Sequence, residues 1–186
     1  MNNFEKILIE IARMSVIEKL ENKKIINKEE LYKQFPHLKE KRATCVTLTK
    51  TNGELRGCIG TLNPHQSLLD DIIQNAKSAA FSDYRFTPLT KEEYDDIKFE
   101  ISILSPVKEI DYKDIKDLQE KIVPFKDGIV LKYNGYKATF LPQVWEKLPD
   151  FYDFFSHLCK KAGLSDNCLS LHPKIYKYNV TKIKEE

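Results

Sequence analysis

Residues 54–62 read "ELRGCIGTL", with an arginine two positions before a cysteine and a glycine two positions after it. A cysteine attacks as its thiolate, and a nearby cation favours that form. Alternate residues of a strand share a face, so Arg56 and Cys58 are expected side by side. Cys58 is the candidate nucleophile, and Arg56 the candidate holder of an anionic group. Gly57 and Gly60 would let a substrate, or another stretch of backbone, approach closely. The same residues have a purely structural reading: a small packed thiol, an arginine clamping a carboxylate, and glycines at a bulge or helix crossing. Asp83 and Arg85, in "SDYRFTP", are further substrate-binding candidates. They are expected to pair with each other, or Asp83 to orient Arg56. Glu100 reads as a solvated strand carboxylate and His65 as a turn residue.

The elements that must position these groups follow from pattern. Phe4, Ile7, Ile11 and Met14 step by three and four, predicting a first helix over 3–20. Asn27 followed by Glu30 resembles the start of a short helix that Pro36 ends. "ATCVTLTK" alternates at period two and is followed by Asn52-Gly53, a pair suited to a two-residue type I′ turn. Residues 43–50 and 55–61 should then form a hairpin in which Thr51 faces Glu54, Thr49 faces Arg56, Thr47 faces Cys58 and Val46 faces Ile59. Val46, Leu48, Leu55 and Ile59 make its core face; Thr47, Thr49, Arg56 and Cys58 make the polar one. Leu69, Ile72, Ile73, Ala76 and Ala80 stripe the next helix. Thr90 and Glu93 form a capping box. "IKFEISIL" is a strand with Phe99, Ile101 and Ile103 inward, and a helix follows around 112–122. A second hairpin turns at Asn134-Gly135. Asp150 caps a helix carrying Phe151, Phe154, Phe155, Leu158 and Ala162, which Gly163 stops. "KIYKYNV" closes the chain as one strand. This order implies an α+β fold with mixed, largely antiparallel sheets, in one compact unit of two lobes with unfixed boundaries.

Composition narrows the function classes. The 186 residues are 41% hydrophobic and 31% charged, which excludes a disordered or fibrous chain. A net charge of +2 gives no strong pull towards nucleic acid or acidic lipid. No apolar run approaches the roughly 20 residues of a bilayer helix. The charged first twenty residues read as neither signal peptide nor anchor, so a cytoplasmic protein is expected. Cys45, Cys58, Cys159 and Cys168 form no CxxC pair, so no metal site and no cofactor are assigned. All four are expected as free thiols. Cys45 and Cys58 would lie diagonally across the hairpin, about 7–8 Å apart against a usual disulfide limit near 7 Å between Cα atoms, so no bridge between them is expected.

"ELRGCIGTL", together with "AAFSDYRFTPLT", "EISILSP", "DGIVL", "FLPQVWEKLPD" and "HLCKKAGL", closely resembles the AMMECR domain family, called AmmeMemoRadiSam system protein A in bacteria and archaea. The resemblance covers nearly the whole chain, as a single domain over 1–186 with two α+β subdomains. Two departures stand out. Cys45 occupies a position where members often have phenylalanine, and Tyr84 one where many have proline; Asp83, Arg85 and Phe86 are in place. The family name implies association with Memo-type and radical SAM proteins. Two functions are therefore expected to compete. One is an enzyme acting on a small molecule or a modified residue with Cys58, in a cleft beside residues 55–61. The other is a non-catalytic binding or scaffold component serving those partners.

Overall fold

In the computed structural model, residues 1–185 are described, and the chain divides into two units, Met1–Leu104 with the segment from Thr181 on, and Ser105–Val180. The architecture is α+β, with a four-stranded sheet in each unit and mainly antiparallel pairing.

The first unit opens with α1 (Asn3–Glu21), whose first turn is closed by a reciprocal capping box between Asn2 and Glu5. Asn27 caps α2 (Lys28–Gln34), and Pro36 begins a 3₁₀ turn immediately after it. β1 (Ala43–Lys50) and β2 (Leu55–Gly60) form the first hairpin. α3 (Leu68–Phe81) starts at Ser67, whose hydroxyl accepts from the Asp70 amide. α4 (Lys91–Tyr94) has the expected Thr90–Glu93 box. β3 (Ile97–Leu104) buries Ile97, Phe99 and Ile101. The sheet order is β2-β1-β3-β8, with β8 (Val180–Lys184) arriving from the far end of the sequence. Leu8, Ile11, Leu69, Ile72, Val46, Leu48 and Ile101 are among the fully buried members of its core. The closing segment is thus two strands, not one: β7 (Lys174–Tyr178) belongs to the second unit's sheet and β8 to the first.

The first hairpin corrects the expected register in two places. Its loop has three residues: the Gly53 amide donates to Lys50 O, and Gly53 takes φ +89°. Lys50 therefore meets Glu54, through a bond from its amide to Glu54 O. Thr49 then pairs with Leu55 rather than Arg56, and a bulge follows, after which Leu48 pairs with Gly57 and Thr47 with Cys58. A left-handed glycine after a tight turn is a common three-residue loop. The bulge returns the one-residue slip that this loop introduces. As a result Leu55 is 40% exposed, not core, and Arg56 is 4% exposed, not on an open polar face.

The second unit contains β4 (Lys108–Ile110), α5 (Ile115–Lys121), β5 (Gly128–Tyr133), β6 (Tyr136–Phe140), α6 (Phe151–Lys161) and β7 (Lys174–Tyr178), in the sheet order β4-β7-β5-β6. Its hairpin does use the two-residue turn, with Asn134 at φ 43°, Gly135 at φ 84° and Tyr133 opposite Tyr136. Trp145 and Phe154 stack at 3.6 Å in its core. Cys159 and Cys168 are joined by a disulfide, which overturns the expectation of four free thiols. Gly163, at φ +84°, turns the chain back after α6 and brings the two cysteines to a Cα separation of 5.8 Å. Both residues are fully buried, where a bridge is sheltered from soluble reductants.

Candidate functional site

Cys58 is half-buried on β2, opposite Thr47 of β1, which is in turn opposite Glu100 of β3. Its Sγ lies 3.3 Å from Cys45 Sγ and 3.3 Å from Thr47 Oγ1. Cys45 and Cys58 are both free. The diagonal placement was legible in the sequence, but the inward lean of the two side chains was not.

β2 is an edge strand, and the loop after α3 covers part of that edge. Asp83 Oδ2 accepts the Cys58 amide at 2.9 Å. Arg85 grips Asp83 with two nitrogens, at 2.9 and 2.7 Å, and reaches Cys58 O at 3.4 Å. Asp83 is 3% exposed, and the Arg85 side chain is 43% exposed. The guanidinium beside Asp83 holds its carboxyl well below the usual range, against the opposing effect of burial. The expected Asp83–Arg85 pair is therefore present, and it sits against Cys58.

Arg56 is committed elsewhere. Its Nε and Nη2 each donate to Glu93 at 2.8 Å, Nη2 also donates to Thr87 O at 2.9 Å, and Nη1 is buried without a hydrogen-bond partner among the described residues. The bidentate pair ties the bulge of β2 to α4 and holds the Glu93 carboxyl down at about 2. Nε and Nη2 of Arg56 are thus committed to this clamp. The cation placed to act on Cys58 is Arg85, which sequence alternation could not select because it arrives on a folded-back loop.

The glycines also have structural occupants. A Cβ on Gly57 would lie 2.1 Å from Ala79 O, so the bare backbone admits the close approach of α3. A Cβ on Gly60 would lie 2.7 Å from Cys45 Cβ. Glu100 pairs with Lys184 at 3.0 Å. His65 is exposed, and its Nδ1 donates to Asn63 O at 3.1 Å. No group of three metal-ligating side chains occurs among the described residues.

The electrostatics separate the two thiols. Cys58 is pulled down to about 6, first by the hydrogen bond from Cys45, then, against the opposing effect of burial, by Thr47 and by the charge of Arg85. Cys45 is pushed up by that same contact with Cys58 and by its own burial. The two sulfurs share a hydrogen bond at 3.3 Å and titrate as a pair, and Thr47 with the charge of Arg85 favours the thiolate at Cys58.

A second polar cluster, unmarked by any motif, lies under the hairpin. Asp71 is fully buried and accepts from the Thr44 amide and hydroxyl, Thr61 Oγ1, Gln66 Nε2 and Asn75 Nδ2. It anchors α3 to β1 and to the end of β2. An aspartate and an asparagine four apart on the buried side of α3 were the available signal.

Among the described residues, no helix is long and apolar enough to cross a membrane. A protein from Thermofilum pendens is 36% identical over 87% of this chain and 79% of its own. Protein MJ0810 of Methanocaldococcus jannaschii is 37% identical over 95% of this chain and 88% of its own. The crystal structure of the uncharacterized protein PH0010 from Pyrococcus horikoshii superposes with a TM-score of 0.81 at 32% identity, covering 100% of this chain and 93% of that one. The AMMECR1 family model matches residues 9–183, which includes the Cys58 strand, the Asp83–Arg85 loop and both sheets, and the chain belongs to that family.

Proposed function

We propose that this protein is a thiol-dependent enzyme acting on a small molecule or a modified residue, with Cys58 as the nucleophile. Arg85 takes the anion-holding role first given to Arg56. The observation that carries the reading is the contact set at Cys58: the Cys45 and Thr47 side chains at 3.3 Å each, and the Arg85–Asp83 pair against its backbone. Donors and a cation around the sulfur supply the thiolate without a separate base, which removes the need for a nearby histidine. The reading places the protein in the cytoplasm, where glutathione keeps Cys58 reduced.

The test is iodoacetamide labelling of the folded protein across a pH series, mapped by peptide mass spectrometry. Cys58 should label faster than Cys45, with a midpoint near 6. Arg85→Leu should raise that midpoint and slow labelling at neutral pH, whereas Arg56→Leu should leave the midpoint in place. Slower labelling of Cys58 than of Cys45 at every pH would remove the nucleophile.

A second reading, a non-catalytic component that binds Memo-type or radical SAM proteins, is favoured by one observation. Tyr84, between Asp83 and Arg85, is 93% exposed. Tyr84→Ala should then weaken capture of a purified Memo-type protein while Cys58 labelling is unchanged.

A further inference from the structure

We infer that Cys45 and Cys58 form a reversible dithiol/disulfide pair across β1 and β2, with Cys58 attacking, Cys45 resolving, and small disulfides of the glutathione type as co-reactant. This rests on Cys58 being the reactive thiol of the proposed site, and adds a second residue and a class of reagent to it.

Three features support the pair. The sulfurs are already 3.3 Å apart, and both are free. Cys45 stands opposite Gly60, where any side chain would collide with it, so the glycine clears the ground over which the cysteine leans. β2 is an edge strand with a bulge beside Arg56, so it has strand pairing on one side only, and its sulfur has a short way to travel. Diagonal positions lie about 7–8 Å apart, at or past the usual Cα limit near 7 Å, so closing the bond requires β2 to shift. A bond closed there should be readily reduced, unlike the buried Cys159–Cys168 bridge.

The chemistry closes without a further reagent. The Cys58 thiolate attacks one sulfur of the small disulfide; a Cys58–S bond forms, the reagent's S–S bond breaks, and a thiolate leaves and takes a proton from solvent. Cys45 Sγ then attacks Cys58 Sγ. The protein disulfide forms, the second small thiolate is expelled, and the Cys45 proton goes to it. Two protein thiols are oxidised and one disulfide is reduced to two thiols. The first step also prepares the second. Contact with Cys58 is what mainly holds the Cys45 proton in place, and capping Cys58 removes that negative neighbour.

The experiment exposes the folded full chain to oxidised and reduced glutathione mixtures at neutral pH, quenches with acid, and reads intact mass and disulfide-mapped peptides. The wild type should become two hydrogens lighter through a Cys45–Cys58 bond and carry at least about tenfold less bound glutathione than Cys45→Ser, which should stop as a mixed disulfide at Cys58. Reduced glutathione should reverse the wild-type product while Cys159–Cys168 stays closed. A wild type that accumulates a stable glutathione adduct at Cys58, with rapid iodoacetamide labelling, overturns the pair and leaves the nucleophile standing. If Cys58 takes neither glutathione nor iodoacetamide, both readings fall. Should Cys45→Ser fail to fold by circular dichroism, the wild-type ratio of internal bond to adduct still decides.

Discussion

Arg56 and Arg85 show how one residue type takes two roles around one strand, β2. Arg56 is buried and its bidentate partner, Glu93, has a side chain 36% exposed. Removing the carboxylate strands a buried charge, whereas removing the arginine leaves a carboxylate that water can reach. Glu93→Ala should therefore destabilise the protein by about 3 kcal/mol, and Arg56→Leu by clearly less, in urea titrations. The pH dependence has a fixed sign. The Glu93 carboxyl titrates at about 2 folded against an ordinary 4.5, so its contribution is complete above the higher value and is lost as pH falls through the lower. Glu93→Gln should flatten that acid limb. The sequence made Cys58 and the Asp83–Arg85 pair visible as a motif and a local charge pattern. It could not show which arginine meets the thiol, because that depends on a loop folding back over an edge strand.

The β1–β2 hairpin shows what alternation can and cannot establish at the level of an element. Counting from Asn52-Gly53 places Thr47 opposite Cys58 and Val46 opposite Ile59, and both pairs are present. The agreement arises because two irregularities cancel: the three-residue loop shifts the strands by one, and the bulge shifts them back. Between the two, Leu55 and Arg56 exchange their expected environments. A loop of three rather than two residues is a small difference in turn energy, so the local dipeptide does not decide it. The crossing of α3 over β2 is more tightly determined. Gly57→Ala would drive a methyl group to 2.1 Å from the Ala79 carbonyl, where backbone rather than a flexible side chain must yield. A loss of about 2 kcal/mol or more is expected in thermal or chemical denaturation, with Cys58 labelling altered as β2 is displaced.

Across the whole molecule, the covalent staple belongs to one unit. The Cys159–Cys168 bridge spans a sequence separation of 9, and closing so short a loop stabilises by about 2–3 kcal/mol through the unfolded chain. Replacing both cysteines by alanine should cost about that much, with hydrogen exchange accelerating in residues 105–180 first. The two-unit division itself was only partly legible, because "KIYKYNV" contains the crossing point between sheets and carries no break in its alternation. That crossing sets an order of events. β8 completes the first sheet beside β3, yet the whole of the second unit separates them in the chain. Ser105 and Asn179 bond to each other where the chain leaves and returns, the Ser105 amide giving to Asn179 O at 2.9 Å. Closing β3 against β8 through an unfolded segment of that length carries a loop-closure cost that a folded second unit has already met. During synthesis, the first unit is thus begun before the second and finished after it, with the outer edge of β3 left unpaired in between.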